Sequence, residues 1–345
     1  MQALLTWPGV AGSTRVDAVG EVEPGAGDVL LRTLEVGVCG TDREISAGLF
    51  GVAPEGEETL VLGHEALAVV ERDGHGFSRG ELVTAMVRRS CGRCVACEQG
   101  APDSCLTGDY SERGITRLHG YARELVAEDP TQLIPIPRSL GRLGVLAEPT
   151  SICERALRHA RAIGARQPWE LERALVFGAG AIGLLTTYLL RLAGVEVWTV
   201  SLEPTSELVE RSGARYLSSD GNDVAELGGF DLVVEAAGDV HLMAQALGLL
   251  RRGGVACILG IDPHTERVEI DGRVLGVDTI LENRVLFGSV NAQRQDWVAA
   301  VADLDRARER WQDALERLVS LRVPLDRFEE AFAHRGGKAT LVLAD

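Results

Sequence analysis

Along roughly the first 150 residues the apolar positions come in short runs, Val29-Leu30-Leu31, Leu60-Val61-Leu62 and Leu67-Ala68-Val69-Val70, cut apart by Gly, Pro and Asp. Runs of about three or four apolar residues between turn formers are too short for helices and predict strands. The texture changes near Glu172. Ala174-Leu175-Val176-Phe177 predicts a short buried strand, the mostly apolar stretch Ala181 to Leu192 a helix, and Val195 to Val200 the next strand. Asp231 to Glu235, a helix around Leu242 to Leu250, Val255 to Leu259 and Val285 to Phe287 continue the alternation. Strands alternating with helices at this pitch predict a parallel sheet with right-handed crossovers. Charged helices follow from Asp296 to about Leu318, and Ala339 to Leu343 predicts a last strand. No internal repeat or low-complexity segment interrupts this order.

A length of 345 residues allows two separate cores, at the usual ~100–200 residues per domain. Apolar residues make up 46% and charged residues 25%, as in an ordinary globular protein. The net charge of −16 argues against nucleic-acid and anionic-membrane partners, which need a basic face. It also requires any anionic cofactor to be held by a local device. No stretch approaches the ~20 apolar residues of a membrane span. The segment Met1 to Pro8 lacks the basic and long apolar regions of a signal peptide, so the expected location is the cytoplasm.

Four of the seven cysteines fall in Cys91-x2-Cys94-x2-Cys97-x7-Cys105. Four thiolates on one short loop can close a tetrahedron around Zn²⁺ with no open position, which makes the site structural. An iron–sulfur cluster is the rival occupant. Arg88, Arg89 and Arg93 sit beside the cysteines in sequence and can offset their charge. The second motif is Gly178-Ala179-Gly180-Ala181-Ile182-Gly183, a G-x-G-x-x-G that follows a predicted strand and opens a predicted helix. In that context glycines let a pyrophosphate approach the backbone N–H groups of a helix N-terminus. A third set is dispersed: Cys39 in Val38-Cys39-Gly40-Thr41-Asp42, His64 and Glu65 in Gly63-His64-Glu65, and Glu148 in Ala147-Glu148-Pro149. Taken singly, these fit a small buried residue, a core histidine and an acid at a helix N-terminus.

Together, in this order and spacing, the motifs resemble the zinc-containing medium-chain dehydrogenase/reductase superfamily along essentially the whole chain. Within it the sequence is similar to the glucose (aldose) dehydrogenase branch, through Val38–Glu44, Val87–Cys91, Tyr110–Ile115, Leu146–Ser151 and Phe287–Ala292. The resemblance implies an α/β protein: a GroES-like β-rich catalytic domain, residues 1–150 rejoined by 292–345, and a Rossmann dinucleotide-binding domain, residues 151–291. It implies two zinc ions per chain. Cys91, Cys94, Cys97 and Cys105 would hold the structural one. Cys39, His64 and Glu148 would hold the catalytic one, with Glu65 as an exchangeable ligand. Gly178, Gly180, Ala181, Ile182, Gly183, Ser201 and Glu203 would meet NAD or NADP. Thr41 matches the hydroxyl that bonds the substrate oxygen and relays its proton, and Glu112 and Asn291 fall where this branch contacts sugar hydroxyls, facing the cleft between domains. A small-molecule sugar or alcohol substrate and a homo-oligomer, dimer or tetramer, complete the expectation.

One thiolate, one carboxylate and a neutral imidazole cancel the charge of Zn²⁺ and leave it electrophilic, able to acidify an alcohol. Glu65 as a further ligand would weaken that effect. The sequence departs from the branch at two places. Thr199-Val200-Ser201-Leu202-Glu203 offers neither the acid expected near Ser201 for NAD nor the Arg expected near Leu202 for NADP, although Glu203 can stand in for the acid. Ile152 and Cys153 occupy a stretch where some sugar-specific relatives carry an acid. Alternatives on the same residues are a zinc alcohol or polyol dehydrogenase of broader specificity, and an epimerase or lyase that reduces and reoxidises its nicotinamide without net redox. A non-enzymatic scaffold would tolerate loss of Cys39, His64, Glu148 and Thr41, and all are present.

Overall fold

The computed structural model describes residues 1–219, 224–262 and 267–344, apart from the side chain of Gln312. By its contacts the chain forms two compact units: Met1–Ser151 with Asn291–Asp305 and Val319–Asp345, and Ile152–Val290 with Arg306–Leu318. Asp345, the end of the rejoining segment, lies outside the described residues.

Unit 1 is built on short strands: β1 (Gln2–Thr6), β2 (Arg15–Ala18), β3 (Val29–Val38), β4 (Leu60–Val61), β5 (Glu65–Val70), β6 (Leu82–Ala85), β7 (Arg88–Arg89), β8 (Ser111–Arg113), β9 (Arg117–Leu118), β10 (Leu125–Glu128) and β11 (Leu133–Ile136). Its main sheet runs β11-β6-β5-β3 and is completed by two strands from the far end of the chain, which are β19 (Lys338–Val342) and β18 (Val319–Pro324). The first half of β3 alternates buried and half-buried residues, as expected for a strand with one covered face. From Glu35 to Val38 every residue is buried, because β5 and β19 pair along both edges of that stretch and further chain covers its faces. Val29, Leu31, Val36, Ala68, Val83 and Tyr121 belong to the core on this sheet.

Strand alternation also orients the small sheet β7-β8-β9. Arg88 faces Glu112 and Arg89 faces Ser111 across the antiparallel pair, so neighbouring residues on each strand point to opposite faces. Arg89 and Arg113 reach the buried carboxylate of Glu128, at 2.8 and 2.9 Å, and the Tyr121 hydroxyl donates to it at 2.5 Å. Burial opposes ionisation of Glu128, but the two guanidinium groups win and hold its carboxyl below the usual range. This cluster ties the small sheet to β10 and leaves Arg88 and Glu112 on the other face.

Unit 2 holds β12 (Arg173–Phe177), β13 (Glu196–Ser201), β14 (Arg215–Ser218), β15 (Phe230–Glu235), β16 (Leu250–Ile258) and β17 (Val285–Gly288). All pairs are parallel, in the order β14-β13-β12-β15-β16-β17. This is the doubly wound arrangement, whose strand order reverses between β12 and β15. The expected α/β class with a parallel sheet is therefore observed. The helix expected to reach Leu250 is shorter: Val240–Gln245 passes into a 3-10 turn, Ala246–Leu249, and Leu250 already pairs with Phe230 as the start of a longer β16. No helix among the described residues is long and apolar enough to cross a membrane.

Candidate metal and dinucleotide sites

The helix Gly40–Ser46 opens on Cys39, and the two ends of this turn fix each other. The Thr41 N–H donates to Cys39 Sγ at 3.2 Å, and the Cys39 N–H donates to Asp42 Oδ2 at 2.9 Å. A reciprocal cap of this kind holds the thiol in one place. His64 comes from the turn before β5, where Gly63 takes a φ of +89° that other residues adopt at a penalty. Its Nε2 lies 3.1 Å from Cys39 Sγ. Its other nitrogen, Nδ1, faces Asp42 Oδ1 at 3.6 Å. A carboxylate behind the far nitrogen of a histidine orients the ring and leaves the near nitrogen as a metal ligand.

Cys39, His64 and Glu65 offer ligand atoms that all lie within 4.8 Å of one another. That donor set, sulfur, imidazole and carboxylate, suits zinc. Glu65 carries a constraint the sequence did not reveal. Lys338, at the start of β19, donates to both carboxylate oxygens at 2.6 Å, and both side chains are buried. Burial works against the charge on Lys338, but Glu65 and Cys39 beside it raise its pKa. Gly37 faces Glu65 across the strands, and a side chain there would collide with the Glu65 carboxylate. Glu148 lies in the first turn of the helix Ala147–Gly164 and is buried. Burial and the charge of Glu65 push its carboxyl up to about 7, but among the described residues the ligand atoms that converge within 4.8 Å are those of Cys39, His64 and Glu65, without Glu148. Thr41 is half-buried beside Cys39.

The four cysteines of the lobe also converge, with all ligand atoms within 4.8 Å. Cys94 and Cys97 sulfurs are 3.4 Å apart, and those of Cys91 and Cys97 3.9 Å. Corners of a tetrahedron with metal–sulfur bonds of ~2.3 Å stand ~3.8 Å apart, so the set fits zinc. The thiols differ in acidity: the Thr107 hydroxyl beside Cys105 lowers its pKa to about 6, whereas desolvation and the Cys94 sulfur raise that of Cys97 to about 12. Bringing all four to thiolates at neutral pH needs a cation among them.

In unit 2 the three fingerprint glycines do three different jobs. Gly178 turns the chain after β12 at a φ of +99°, and a side chain there would press on the Ala236–Ala237 backbone at about 3.0 Å. Gly183 packs its helix so closely that a side chain would strike the Gly178 carbonyl. Gly180 faces open space, with no atom within 4 Å of where a side chain would begin. It also leaves the helix Ala181–Leu192 without a side-chain cap, so the N–H groups of Ala181, Ile182 and their neighbours remain available to an anion. That is the shape a dinucleotide pyrophosphate fits. Ser201 ends β13, and its hydroxyl donates to Glu203 at 2.5 Å, while Tyr216 donates to the Glu203 carbonyl at 2.6 Å.

Glu112 is half-buried and bonded to Arg88 at 2.9 Å. Asn291 adopts a φ of +68°, is buried, and its amide nitrogen has no hydrogen-bond partner among the described residues. Both residues belong to unit 1, as do all the metal-ligand candidates. Lys338 and Asp42 are participants that sequence reasoning missed, and Arg88, Arg89 and Arg93, expected to offset the cysteine charge, pair with Glu112, Glu128 and Asp109; the signal for Lys338 is a charged residue next to a predicted strand.

Residues 25–138 match the family described as alcohol dehydrogenase GroES-like domain, and residues 141–344 match glucose dehydrogenase C-terminus. The chain is 41% identical over 342 residues to glucose 1-dehydrogenase of Methanocella arvoryzae, covering 96% of this chain and 95% of that protein. It is 41% identical over 340 residues to glucose 1-dehydrogenase of Thermoproteus tenax, covering 96% of each. Among solved structures it is similar to Haloferax mediterranei glucose dehydrogenase in complex with NADP, Zn and gluconolactone, with a TM-score of 0.91, 33% identity and full coverage of both chains.

Metal analysis of fully loaded protein is expected to give two zinc ions per chain. Cys94→Ser should remove one of them and lower folding stability, since metal binding at such a lobe is linked to folding. A single zinc in the unaltered protein, or iron at the lobe, would overturn the assignment.

Proposed function

The chain belongs to the glucose dehydrogenase branch of the zinc-dependent medium-chain dehydrogenases, and from that premise we propose that it oxidises an aldose, D-glucose foremost, at its anomeric hydroxyl. The observation that carries this reading is Cys39 Sγ facing His64 Nε2 at 3.1 Å with Asp42 behind the other ring nitrogen, in a chain so similar along its length to glucose 1-dehydrogenases. Zinc, when held by Cys39, His64 and Glu148, supplies a Lewis acid that makes a hydroxyl more acidic, and the nicotinamide supplies the hydride acceptor. Asp42 keeps His64 turned with Nε2 toward the metal side. Lys338 engages both oxygens of Glu65, which favours Glu148 over Glu65 as the third ligand and keeps the zinc electrophilic. Thr41 accepts the proton of the reacting hydroxyl as it gives its own to solvent, because a neutral hydroxyl is too weak a base to hold an extra proton.

Glu112 and Asn291 read the neighbouring hydroxyls. The unpartnered amide of Asn291 supports this, because a buried donor without an acceptor costs about 1–3 kcal/mol and is relieved by a ligand oxygen. The positive φ of Asn291 explains a turn residue but not an orphaned amide. Glycine keeps that backbone conformation and removes the amide, so Asn291→Gly separates the two. It should lower kcat/KM for glucose roughly tenfold to a hundredfold, read as NAD(P)H formed in proportion to product. Equal losses with glucose and a simple primary alcohol would promote the broader alcohol dehydrogenase, and product without accumulating NAD(P)H would promote the epimerase or lyase.

The Ser201–Glu203 pair supports a preference for NAD. A carboxylate at the end of the second strand accepts from the ribose 2′-hydroxyl and repels a 2′-phosphate. Glu203→Ala is expected to lower the NAD/NADP ratio of kcat/KM about tenfold, the scale of one charge-assisted hydrogen bond. An unchanged ratio would mean that the ribose is read elsewhere.

The reading includes a homo-oligomer, dimer or tetramer. Strand β17 ends its sheet with one edge unpaired among the described residues, and Leu286 on it, with Ile280 and Leu281 close by in sequence, is exposed. Such an edge invites a second copy. A monomer in sedimentation at micromolar concentration would refute it.

A further inference from the structure

Glu112 does not stand alone on its face of the small sheet. Its Oε1 accepts from Arg88 Nε at 2.9 Å, while nothing among the described residues donates to its Oε2. Arg88 sends a second N–H, from Nη1, to the carbonyl of Asp103 at 2.8 Å. Asp103 belongs to the 3-10 turn Pro102–Ser104, inside the loop that carries the four cysteines. The face of the same guanidinium lies 3.9 Å from the centre of the Tyr110 ring. Three contacts in three directions fix one planar group, which a guanidinium allows and an ammonium does not. The side chains of Arg88 and Glu112 are only 10% and 13% exposed. Glu112 and Tyr110 both line a cavity of about 410 Å³, together with Phe50, Thr116 and Arg117.

We propose that Arg88 is a positioning residue for substrate recognition: it anchors Glu112 on the four-cysteine lobe, so that Oε2 meets a sugar hydroxyl at a fixed point. The inference rests on the reading of Glu112 as a sugar contact. The opposite face of the sheet is clamped by Arg89, Arg113 and Glu128, so the frame from which Arg88 reaches out is rigid. One oxygen of Glu112 is occupied by the guanidinium, which confines the group to one rotamer. The other oxygen is thereby presented as a pure acceptor for a hydroxyl donor. Without Arg88, a half-buried carboxylate would sample several rotamers, and sugar binding would have to order it again. The lobe thus gains a function besides local folding: the Asp103 carbonyl, fixed between Cys97 and Cys105, sets the register of a specificity contact.

The test uses the full-length, zinc-loaded enzyme as Arg88→Gln, Arg88→Lys, Glu112→Gln and the Arg88→Gln/Glu112→Gln double variant. Arg88→Gln is expected to raise KM for glucose about tenfold and leave kcat within about twofold. Calorimetric affinity for gluconolactone with saturating oxidised cofactor should fall by a similar factor, and zinc content should stay at two per chain. Arg88→Lys, which can pair with Glu112 but not hold all three contacts, should recover part of the loss. The double variant should be no worse than Glu112→Gln alone. If Arg88→Gln sheds the lobe zinc, Arg88→Lys in both Glu112 backgrounds carries the same comparison. A loss that multiplies in the double variant, or an unchanged KM with Arg88→Gln while Glu112→Gln raises it, would overturn the inference alone. An unchanged KM with Glu112→Gln would overturn the sugar contact itself and the inference with it.

Discussion

Unit 1 is organised around a concentration of negative charge that only paired cations can hold together. Cys39, His64 and Glu65 offer ligand atoms within 4.8 Å of one another, Asp42 stands behind His64, and Lys338 is buried in contact with Glu65. Burying a carboxylate without a partner is prohibitive, and it is tolerable only with close pairing and hydrogen bonds. The Glu65–Lys338 pair meets that condition, with both oxygens bonded at 2.6 Å. Its members stand 273 positions apart in sequence, so the ion pair forms only when β19 has returned to lie against β3. The same return of the chain that completes the sheet therefore completes the electrostatics of the site. One ammonium does not offset both Glu65 and Asp42, and a dication held by the donors beside them would relieve the excess.

The polar groups proposed to read substrate are held by different devices suited to their chemistry. Glu112 is a charged acceptor on a strand, oriented by a guanidinium. Asn291 is a neutral amide oriented by its own backbone, at a φ that asparagine tolerates better than most residues. Discrimination against a substrate lacking a hydroxyl depends on leaving such groups unpaired. That penalty is felt only if the groups cannot swing to other partners. Rigidity of the supporting shell is therefore as much a determinant of specificity as the identity of the contact residue.

The legibility of these features in the sequence follows the range of the interaction that makes them. The cysteine lobe and the glycine fingerprint are local, so their spacing alone indicates what they can hold, and the strands of unit 2 are readable as apolar runs. Element ends were less clear: Leu250 was assigned to a helix end, yet pairing with Phe230 makes it the start of β16. Cys39, His64 and Glu148 are scattered, and singly each had an ordinary reading; resemblance, not periodicity, joined them. The roles of Lys338 and Asp42 are not legible, and Arg88 is legible only as a charge beside the cysteines. Their roles come from sheet register and from a turn that brings Asp42 behind His64, and neither leaves a mark in composition or spacing.

The dinucleotide site shows how a local arrangement prevails over the global field. A chain of net charge −16 repels an anionic cofactor at long range, but that repulsion is screened over ~8–10 Å at physiological ionic strength. Within that distance only nearby groups matter. The uncapped N-terminus of the helix Ala181–Leu192 presents backbone donors beside a glycine that faces open space, and these donors neither titrate nor need a counter-charge. Glu203, proposed to read the ribose, is therefore free to select against a 2′-phosphate without defeating binding of the pyrophosphate.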